Sequence, residues 1–236
     1  MKILGMDSSG LVASVAVVED DILVAEYTVN HKKTHSQTLL PMLDEVARMT
    51  ELDLESIDAI AVAAGPGSFT GLRIGASTVK ALGFALDKPV VSVPTCHGLA
   101  YNMWGTDDVV CPILDARRNQ VYTGAYEFVD GKLQVIKDQD AMGIDELICY
   151  LNQLGRKVIF VGDGIPVYQN YIKENIKSEF KFAPAGFNRQ RASSVAALGA
   201  CLYAEGKFEN ADDHKPIYLR KSQAEREREE QLNKEG

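Results

Sequence analysis

The chain has 236 residues, with 25 Lys+Arg against 33 Asp+Glu and a formal net charge of −8. Apolar residues make up 46% and charged residues 25%, a globular composition that excludes bulk disorder and suits one or two small domains with cores of their own. The acidic balance excludes a free-standing nucleic-acid binder driven by counterion release, because no excess of cations exists to neutralise phosphates; a subunit that joins a basic partner stays open.

Residues 3–7, 12–18 and 22–29 read as three strands, joined by the tight turns Ser8-Ser9-Gly10 and Glu19-Asp20-Asp21. Short β-branched runs with such turns form an antiparallel meander. Helical spacing follows. Thr34-x-x-Gln37 resembles a capping box, and Leu39, Leu43, Val46 and Ala47 recur at helical intervals, with Leu40 and Met42 alongside. Pro41 lies within this stretch and predicts a helix that is kinked or starts late. A buried strand is expected at 57–63. The glycine-rich connection Gly65-Pro66-Gly67-Ser68-Phe69-Thr70-Gly71 then opens a helix over 72–86, stopped by Asp87-Lys88-Pro89. A strand at 90–93 and a short helix at 95–104 complete the first half.

The order then starts again. Strands are expected at 109–114, 120–128 and 132–137, the last two joined by Asp130-Gly131, a strong hairpin signal. A helix over 145–154 stops at Gly155, a strand follows at 158–161, and Gly162-Asp163-Gly164 leads into a helix over 167–176. The order βββαβα thus occurs twice. An amphipathic helix over 193–205 precedes an irregular stretch and a charged tail in which Arg226 and Arg228 alternate with glutamates, a solvated helix or loose end. The expected fold is α/β with mixed sheets: a first lobe over 1–104 completed by helix 193–206, a smaller second lobe over 105–190, and an extension over 207–236. A doubled unit of this order is the two-lobed plan of actin, sugar kinases and heat-shock ATPases (the ASKHA fold), with a ligand cleft between the halves. That step is analogy from element order.

Asp7 arrives too early for a signal-peptide core, and no apolar run reaches about 18 residues, so neither a leader nor a membrane span is expected. Cys96, Cys111, Cys149 and Cys201 stand far apart with no C-x-x-C pair; they read as buried thiols in a reducing cytoplasm.

Several groups have chemical potential. Asp7-Ser8-Ser9-Gly10 ends the first strand at a hairpin that either aims N–H groups and a hydroxyl at phosphate or is only a turn. Gly65, Gly67 and Gly71 permit unusual backbone angles at a helix start, which makes either an anion site or a tight corner; no Gly-Lys-Ser/Thr follows. Phe69 in this loop has no evident core position and is expected to dock elsewhere. Asp163 between Gly162 and Gly164 meets a ribose or, the favoured reading, caps the next helix. His31 and His35 are four apart, but Lys32-Lys33 between them disfavours a dication, and the segment reads as a solvated basic turn. His214 reads as surface.

Four stretches carry a resemblance: the opening Ile3-Leu4-Gly5-Met6-Asp7-Ser8-Ser9, the loop from Ala64 to Gly75, Leu114-Asp115-Ala116-Arg117-Arg118-Asn119-Gln120-Val121-Tyr122, and Pro216-Ile217-Tyr218-Leu219-Arg220. In order and spacing they resemble the TsaB (YeaZ) family, the small subunits of the bacterial machinery that makes threonylcarbamoyladenosine in tRNA. The match ends near Arg220. The glycine stretch is shared with the larger catalytic relative TsaD, of the glycoprotease-like superfamily.

The resemblance implies a non-catalytic subunit in the cytoplasm. The catalytic relative holds a metal through H-x-x-x-H after the strand equivalent to 90–93; here Thr95 and Leu99 stand at those positions, with His97 between them. Neither side chain replaces imidazole, so no metal and no catalytic residue are expected. The second phosphate loop should be small and glycine-rich, yet carries Asp115-Ala116-Arg117-Arg118. Any nucleotide or phosphate contact would fall to Asp7, Ser8, Ser9, Gly65, Gly67, Gly162, Asp163 and Gly164. No cofactor is expected on the isolated chain, with ATP or ADP a possibility at a partner junction. The implied partners are a TsaD-like catalytic subunit and a TsaE-like ATPase, with tRNA met only through the complex and a homodimer possible for the chain alone. The implied interface is a helical face, with Leu39, Leu40, Met42, Leu43 and Val46 on one helix and Gly71, Gly75 and Ala76 on the next. The competing readings are a phosphotransferase or ATPase of the same superfamily, for which Asp7 and Asp115 are the available carboxylates, and a metal-dependent protease, whose motif is missing.

Overall fold

The computed structural model describes residues 1–31 and 34–220. Lys32, Lys33 and the charged tail from 221 onward, with the readings made of them, lie outside the described residues. The first half runs β1 (Lys2–Asp7), β2 (Val12–Glu19), β3 (Ile22–Asn30), α1 (His35–Thr50), β4 (Ala59–Gly65), α2 (Phe69–Leu86), β5 (Val90–Pro94) and α3 (Thr95–Tyr101). The second runs β6 (Val109–Asp115), β7 (Gln120–Val129), β8 (Lys132–Gly143), α4 (Ile144–Leu154), β9 (Val158–Val161), α5 (Ile165–Asn175), β10 (Phe180–Phe182) and α6 (Ala192–Ala204). The repeat is therefore longer than βββαβα: each half adds a further strand and helix.

Both halves form a five-stranded mixed sheet, in the orders β3-β2-β1-β4-β5 and β8-β7-β6-β9-β10. Counted within each half, the two orders are identical. This is the doubled plan of actin, sugar kinases and heat-shock ATPases. In the first sheet β1 pairs antiparallel with β2 (Ile3 opposite Val18) and parallel with β4 (Ile3 opposite Ala59). Successive residues of β1 therefore serve opposite faces. Leu4 and Met6 pack under α1 and α2 with Leu39, Met42, Leu43, Val46 and Val79. Ile3 turns to the other face and packs with Ala61, Val93, Val195 and Ala196. In the second sheet Val109, Cys111 and Ile113 face α4 and α5, whereas Val110 and Leu114 face Cys96, Leu99 and Ala100 of α3.

The final helices are thus exchanged. α3, from the first half, lies on the second sheet; α6, from the second half, lies on the first. Small residues set how closely α6 approaches: a Cβ on Gly5 would stand 2.4 Å from the Ala192 carbonyl oxygen, and one on Gly199 would stand 2.5 Å from the Ala61 Cβ. α6 has no side-chain cap of its own at Arg191. It borrows one. The Ala192 N–H donates to Ser14 Oγ at 2.9 Å, the Ser193 N–H and Oγ–H donate to Glu26 Oε1 at 3.0 and 2.6 Å, and Arg191 grips Glu26 Oε2. Burial pushes the Glu26 carboxyl up, but the bonds from Arg191 and Ser193 outweigh it and hold its pKa below the ordinary glutamate value.

Local expectations met four corrections here. Thr34 caps α1 with its backbone alone, since its side chain accepts nothing from the helix; Gln37 N–H bonds the Thr34 carbonyl. α1 nevertheless starts at His35 and carries Pro41 inside it, on an exposed face, where proline has no N–H to offer the Gln37 carbonyl. β10 has only three residues, too few for an alternating pattern to show. Of the cysteines, Cys96 and Cys111 are buried but Cys149 and Cys201 are exposed. Among the described residues no helix is long and apolar enough to cross a membrane.

The borrowed cap makes a direct expectation. Glu26→Ala should lower stability in urea by about 2 kcal/mol, because α6 loses its cap and Arg191 its partner. An unchanged midpoint would mean that packing alone holds α6.

Candidate functional site

The two sheets place their strand ends at a common cleft of about 700 Å³, lined among others by Ser9, Gly67, Asp115, Asp163, Gln190 and Tyr218. Asp7 sits below it at the end of β1. Its Oδ1 accepts from the Ser9 N–H at 2.8 Å and the Ser9 hydroxyl at 2.7 Å, closing a tight Asx turn. The Asp7 carboxyl is buried, and burial pushes its pKa up to about 6 against the bonds from Ser9 and the nearby His35.

The glycine loop has its occupant already. The Ser68 N–H, at the start of α2, donates to the Ser9 carbonyl at 2.7 Å. A Cβ on Gly67 would lie 2.2 Å from that same oxygen, one on Gly71 would lie 2.1 Å from the Ser8 carbonyl, and one on Gly75 would lie 2.5 Å from Ser8 Oγ. Ser8 Oγ–H donates to the Gly71 carbonyl at 2.9 Å. The 67–71–75 spacing is therefore the imprint of the Ser8-Ser9 turn laid along α2. The helix start is capped by Ser68, whose Oγ accepts from the Gly71 N–H at 3.3 Å. Gly65, at φ 122°, has a different neighbour: a Cβ there would meet the Ile217 carbonyl oxygen at 2.2 Å.

The second half behaves likewise. Gly162, at φ 127°, lies against the Ile113 carbonyl, where a Cβ would come within 2.2 Å. The Gly164 N–H donates to that carbonyl at 2.9 Å. Asp163 does not cap α5, whose start at Gly164 has no side-chain cap; its Oδ1 instead accepts from the Asp115 N–H at 3.1 Å. Burial, with Asp115 nearby, raises the Asp163 pKa, and Arg189 opposes this. Beyond Asp115 the chain turns through Arg117, Arg118 and Asn119 at φ 62°, 55° and 57°. Three successive left-handed residues without glycine cost roughly 1 kcal/mol each.

Of the eight positions assigned to phosphate or nucleotide, Ser9, Gly67 and Asp163 line the cleft. Asp7 and Ser8 are buried beneath it, and Gly65, Gly162 and Gly164 pack on backbone of this chain. Three residues that sequence reasoning did not single out for the site also belong to it. Gln190 is 1% exposed, and both its amide atoms lack a partner among the described residues. Tyr218 lies on Phe69 at 4.7 Å between ring centres, which gives Phe69 its docking place, and Arg73 stands over the same Phe69 ring at 4.3 Å. Arg220 donates to the Ala116 carbonyl at 2.8 Å. The last two were visible only as letters of a family stretch; Gln190 gave no signal.

At the positions where the resemblance looks for metal ligands, the side chains are engaged in packing. Thr95 Oγ accepts from the Gly65 N–H at 3.1 Å, and Leu99 is a core residue. His97 faces Asp138 at 3.3 Å and stands edge-on to Tyr126. His35 Nε2–H donates to the Gly10 carbonyl at 2.8 Å. Among the described residues no group of three or more His, Cys, Asp or Glu stands together as a metal site. His214 is not on the surface: it is 2% exposed, with Nδ1 at 2.9 Å from both Ser92 Oγ and Glu209 Oε1.

A second concave surface lies between α1 and α2, lined by Leu40, Phe69, Arg73, Ile74 and Ser77. The implied interface residues divide here. Leu39, Met42, Leu43 and Val46 are buried in the chain's own core, because α1 packs on β2, β3 and α2 at once and needs a wide apolar stripe. Gly71, Gly75 and Ala76 are buried too. Leu40 is 52% exposed, and Arg73, Ser77 and Phe84 form the outer face of α2.

The family model described as tRNA N6-adenosine threonylcarbamoyltransferase (TsaD) matches residues 23–228. The chain is 35% identical over 228 residues to the Bacillus subtilis (strain 168) tRNA threonylcarbamoyladenosine biosynthesis protein TsaB, covering 95% of this chain and 96% of that one. It is 27% identical to the Escherichia coli (strain K12) protein of the same name, with 95% and 96% covered. Among solved structures, YeaZ from Pseudomonas aeruginosa aligns with a TM-score of 0.80 at 25% identity, over 92% of this chain and 99% of that one. The ethanolamine utilization protein EutJ from Carboxydothermus hydrogenoformans, at a TM-score of 0.50 and 14% identity, shares the fold alone over 86% of this chain and 90% of its own.

Asp7 gives a pH dependence. Its pKa is raised from 3.8 to about 6, so its stabilising contribution is full below the unfolded value and is lost as pH rises through about 6. Asp7→Asn keeps an acceptor for Ser9 without the charge. It should gain on the parent between about pH 4 and pH 7, by roughly 2–3 kcal/mol. Parallel stability curves across that range would show that Asp7 is ordinarily solvated.

Proposed function

This chain belongs to the TsaB family, and from that we infer that it serves the biosynthesis of threonylcarbamoyladenosine in tRNA as a binding subunit without transfer chemistry of its own. The observation that carries the inference is the match to the Bacillus subtilis relative across 95% of the chain. Its net charge of −8 favours meeting tRNA through a complex.

The absence of transfer chemistry is supported by what the key positions do instead. Thr95 holds the Gly65 backbone and Leu99 fills the core, so metal ligands would have to displace structural contacts. The glycine loop is filled by the Ser9 carbonyl, and the Asp115–Asn119 turn carries two arginines where a second phosphate loop needs small residues. The rival phosphotransferase reading has Asp115 at the cleft, but Asp7 lies beneath the Ser9 turn. A nucleotide at the partner junction, a TsaE-like ATPase and a homodimer of the isolated chain remain parts of the proposal that rest on family resemblance.

We place the contact with a TsaD-like subunit on the outer face of α1 and α2. Leu40 with Phe69 and Ile74 offers an apolar centre, with Arg73 and Ser77 as a polar margin, as protein interfaces do. Two variants on one helix separate interface from core. Leu40→Glu should stay folded by circular dichroism and lose association with the TsaD-like subunit by light scattering. Leu43→Glu should lose about 3 kcal/mol or more, because it buries an unpaired carboxylate. Undiminished association of Leu40→Glu would reject this surface. Separately, the purified chain given threonylcarbamoyl adenylate and tRNA should transfer nothing until a TsaD-like subunit is added; turnover by the chain alone, abolished in Asp7→Ala, would overturn the binding-subunit reading.

A further inference from the structure

Residues 209–220 cross from one lobe to the other along the cleft side of the molecule. Their first part is fixed to the first lobe. Glu209 exchanges both backbone hydrogen bonds with Val90 at the edge of β5, at 2.9 Å each. Lys80 on α2 donates to the Asp212 carbonyl at 2.7 Å. His214 is buried and clasped by Ser92 and Glu209, and the Ser92 hydroxyl donates to Glu209 Oε1 at 2.6 Å. The Ile217 N–H then donates to the Ala64 carbonyl at 2.7 Å, its own carbonyl fills the space that Gly65 leaves, and Tyr218 lies on Phe69. From there Ile217 to Arg220 line the cleft, and Arg220 bonds the Ala116 carbonyl at 2.8 Å, on the second lobe.

The two ends are unequal. The lobe-one end has a buried histidine, a backbone pair and a lysine contact. The lobe-two end has one side chain on one carbonyl, next to a turn with three successive left-handed residues. The lobes are also joined away from this contact. Gln139 on β8 donates to the Gly65 carbonyl at 3.1 Å and accepts from the Cys96 N–H at 3.3 Å, and α3 packs on α6. A strap fixed firmly on one lobe and lightly on the other, across lobes that other contacts also join, is a latch. The cleft it closes holds the Gln190 amide, buried and unpaired among the described residues.

We propose that residues 214–220 latch the interlobe cleft, and that release of Arg220 from Ala116 lets the second lobe swing away while the strap stays seated on the first. The closed form described here is then one of two states, with the Arg220 contact setting the balance between them.

The full chain carries its own test. Leu11 and Val167 are exposed and line the cleft from opposite lobes. Spin labels at Leu11→Cys and Val167→Cys, with the exposed Cys149 and Cys201 changed to Ser, report the opening by pulsed electron resonance. Arg220→Ala should shift the distance distribution to longer values and broaden it. Arg220→Lys, which keeps a donor, should stay near the parent. Tyr218→Ala, which cuts the strap where it rests on Phe69, should open the cleft by a second route. Hydrogen exchange on the same samples should show the Ala116 and Gln120 amides about tenfold faster in Arg220→Ala, the effect of one lost hydrogen bond. Faster exchange with superimposable distance distributions would mean that Arg220 only steadies a loop, and would overturn the latch.

Discussion

Everything in this molecule hangs on the seating of one helix against one sheet. α6 closes the inner face of the first sheet, yet it comes from the end of the second half and brings no cap. Glu26 and Ser14 supply the missing acceptors from β3 and β2, and Gly5 and Gly199 remove the two Cβ atoms that would hold it off. Because α3 makes the reciprocal crossing to the second sheet, the lobes cannot be described as two beads on a string. Each core is completed by the other half's chain. The common position of the strand ends, and therefore the cleft, follows from that exchange.

Within this frame the glycine-rich connection acquires a meaning opposite to the one its letters suggest. Closely spaced glycines at a helix start ordinarily make room for a ligand's phosphate. Here the room is taken by the Ser8 and Ser9 carbonyls and, at Gly65, by Ile217. One donor that an anion would need, the Ser68 N–H, is spent on the Ser9 carbonyl. A glycine loop of enzymatic form can in this way serve as a structural joint. Membership of a family whose model is described as a transferase while relatives carry the name of a biosynthesis protein fits such a shift, since one scaffold hosts several roles.

Local chemistry was readable where it is decided locally. The Asp130-Gly131 hairpin, Gly155 at the end of α4 and the meander of the first three strands follow from turn residues and alternation. The doubled plan was readable too, but its last strand was not, because β10 is too short to show a period. The site was read less well, for one recurrent reason: its residues answer to partners far away in sequence. His214 sits in a polar stretch and yet is buried, through Ser92, 122 residues earlier. Asp163 resembles a cap but serves Asp115, 48 residues earlier. The apolar excess on α1 suggested an outward face, whereas three inward neighbours absorb Leu39, Met42, Leu43 and Val46 and leave Leu40 outside. Composition and spacing count the apolar residues of a helix; they do not count the elements that will press on it.

The borrowed cap of α6 also bears on the order in which the protein is made. Synthesis runs from the amino terminus, so β1 to β5 leave the ribosome long before Ala192 does. Until then Ile3 and Ala61 lack α6, which covers them, and Glu26 has neither Arg191 nor Ser193. The contacts that finish the first lobe span most of the chain, which places them among the slow steps of folding. The second lobe finds α3 already waiting, whereas the first must bide its time with an apolar face uncovered. That interval is the nascent chain's exposure to mispairing and to chaperones, and it ends only when the penultimate part of the sequence arrives.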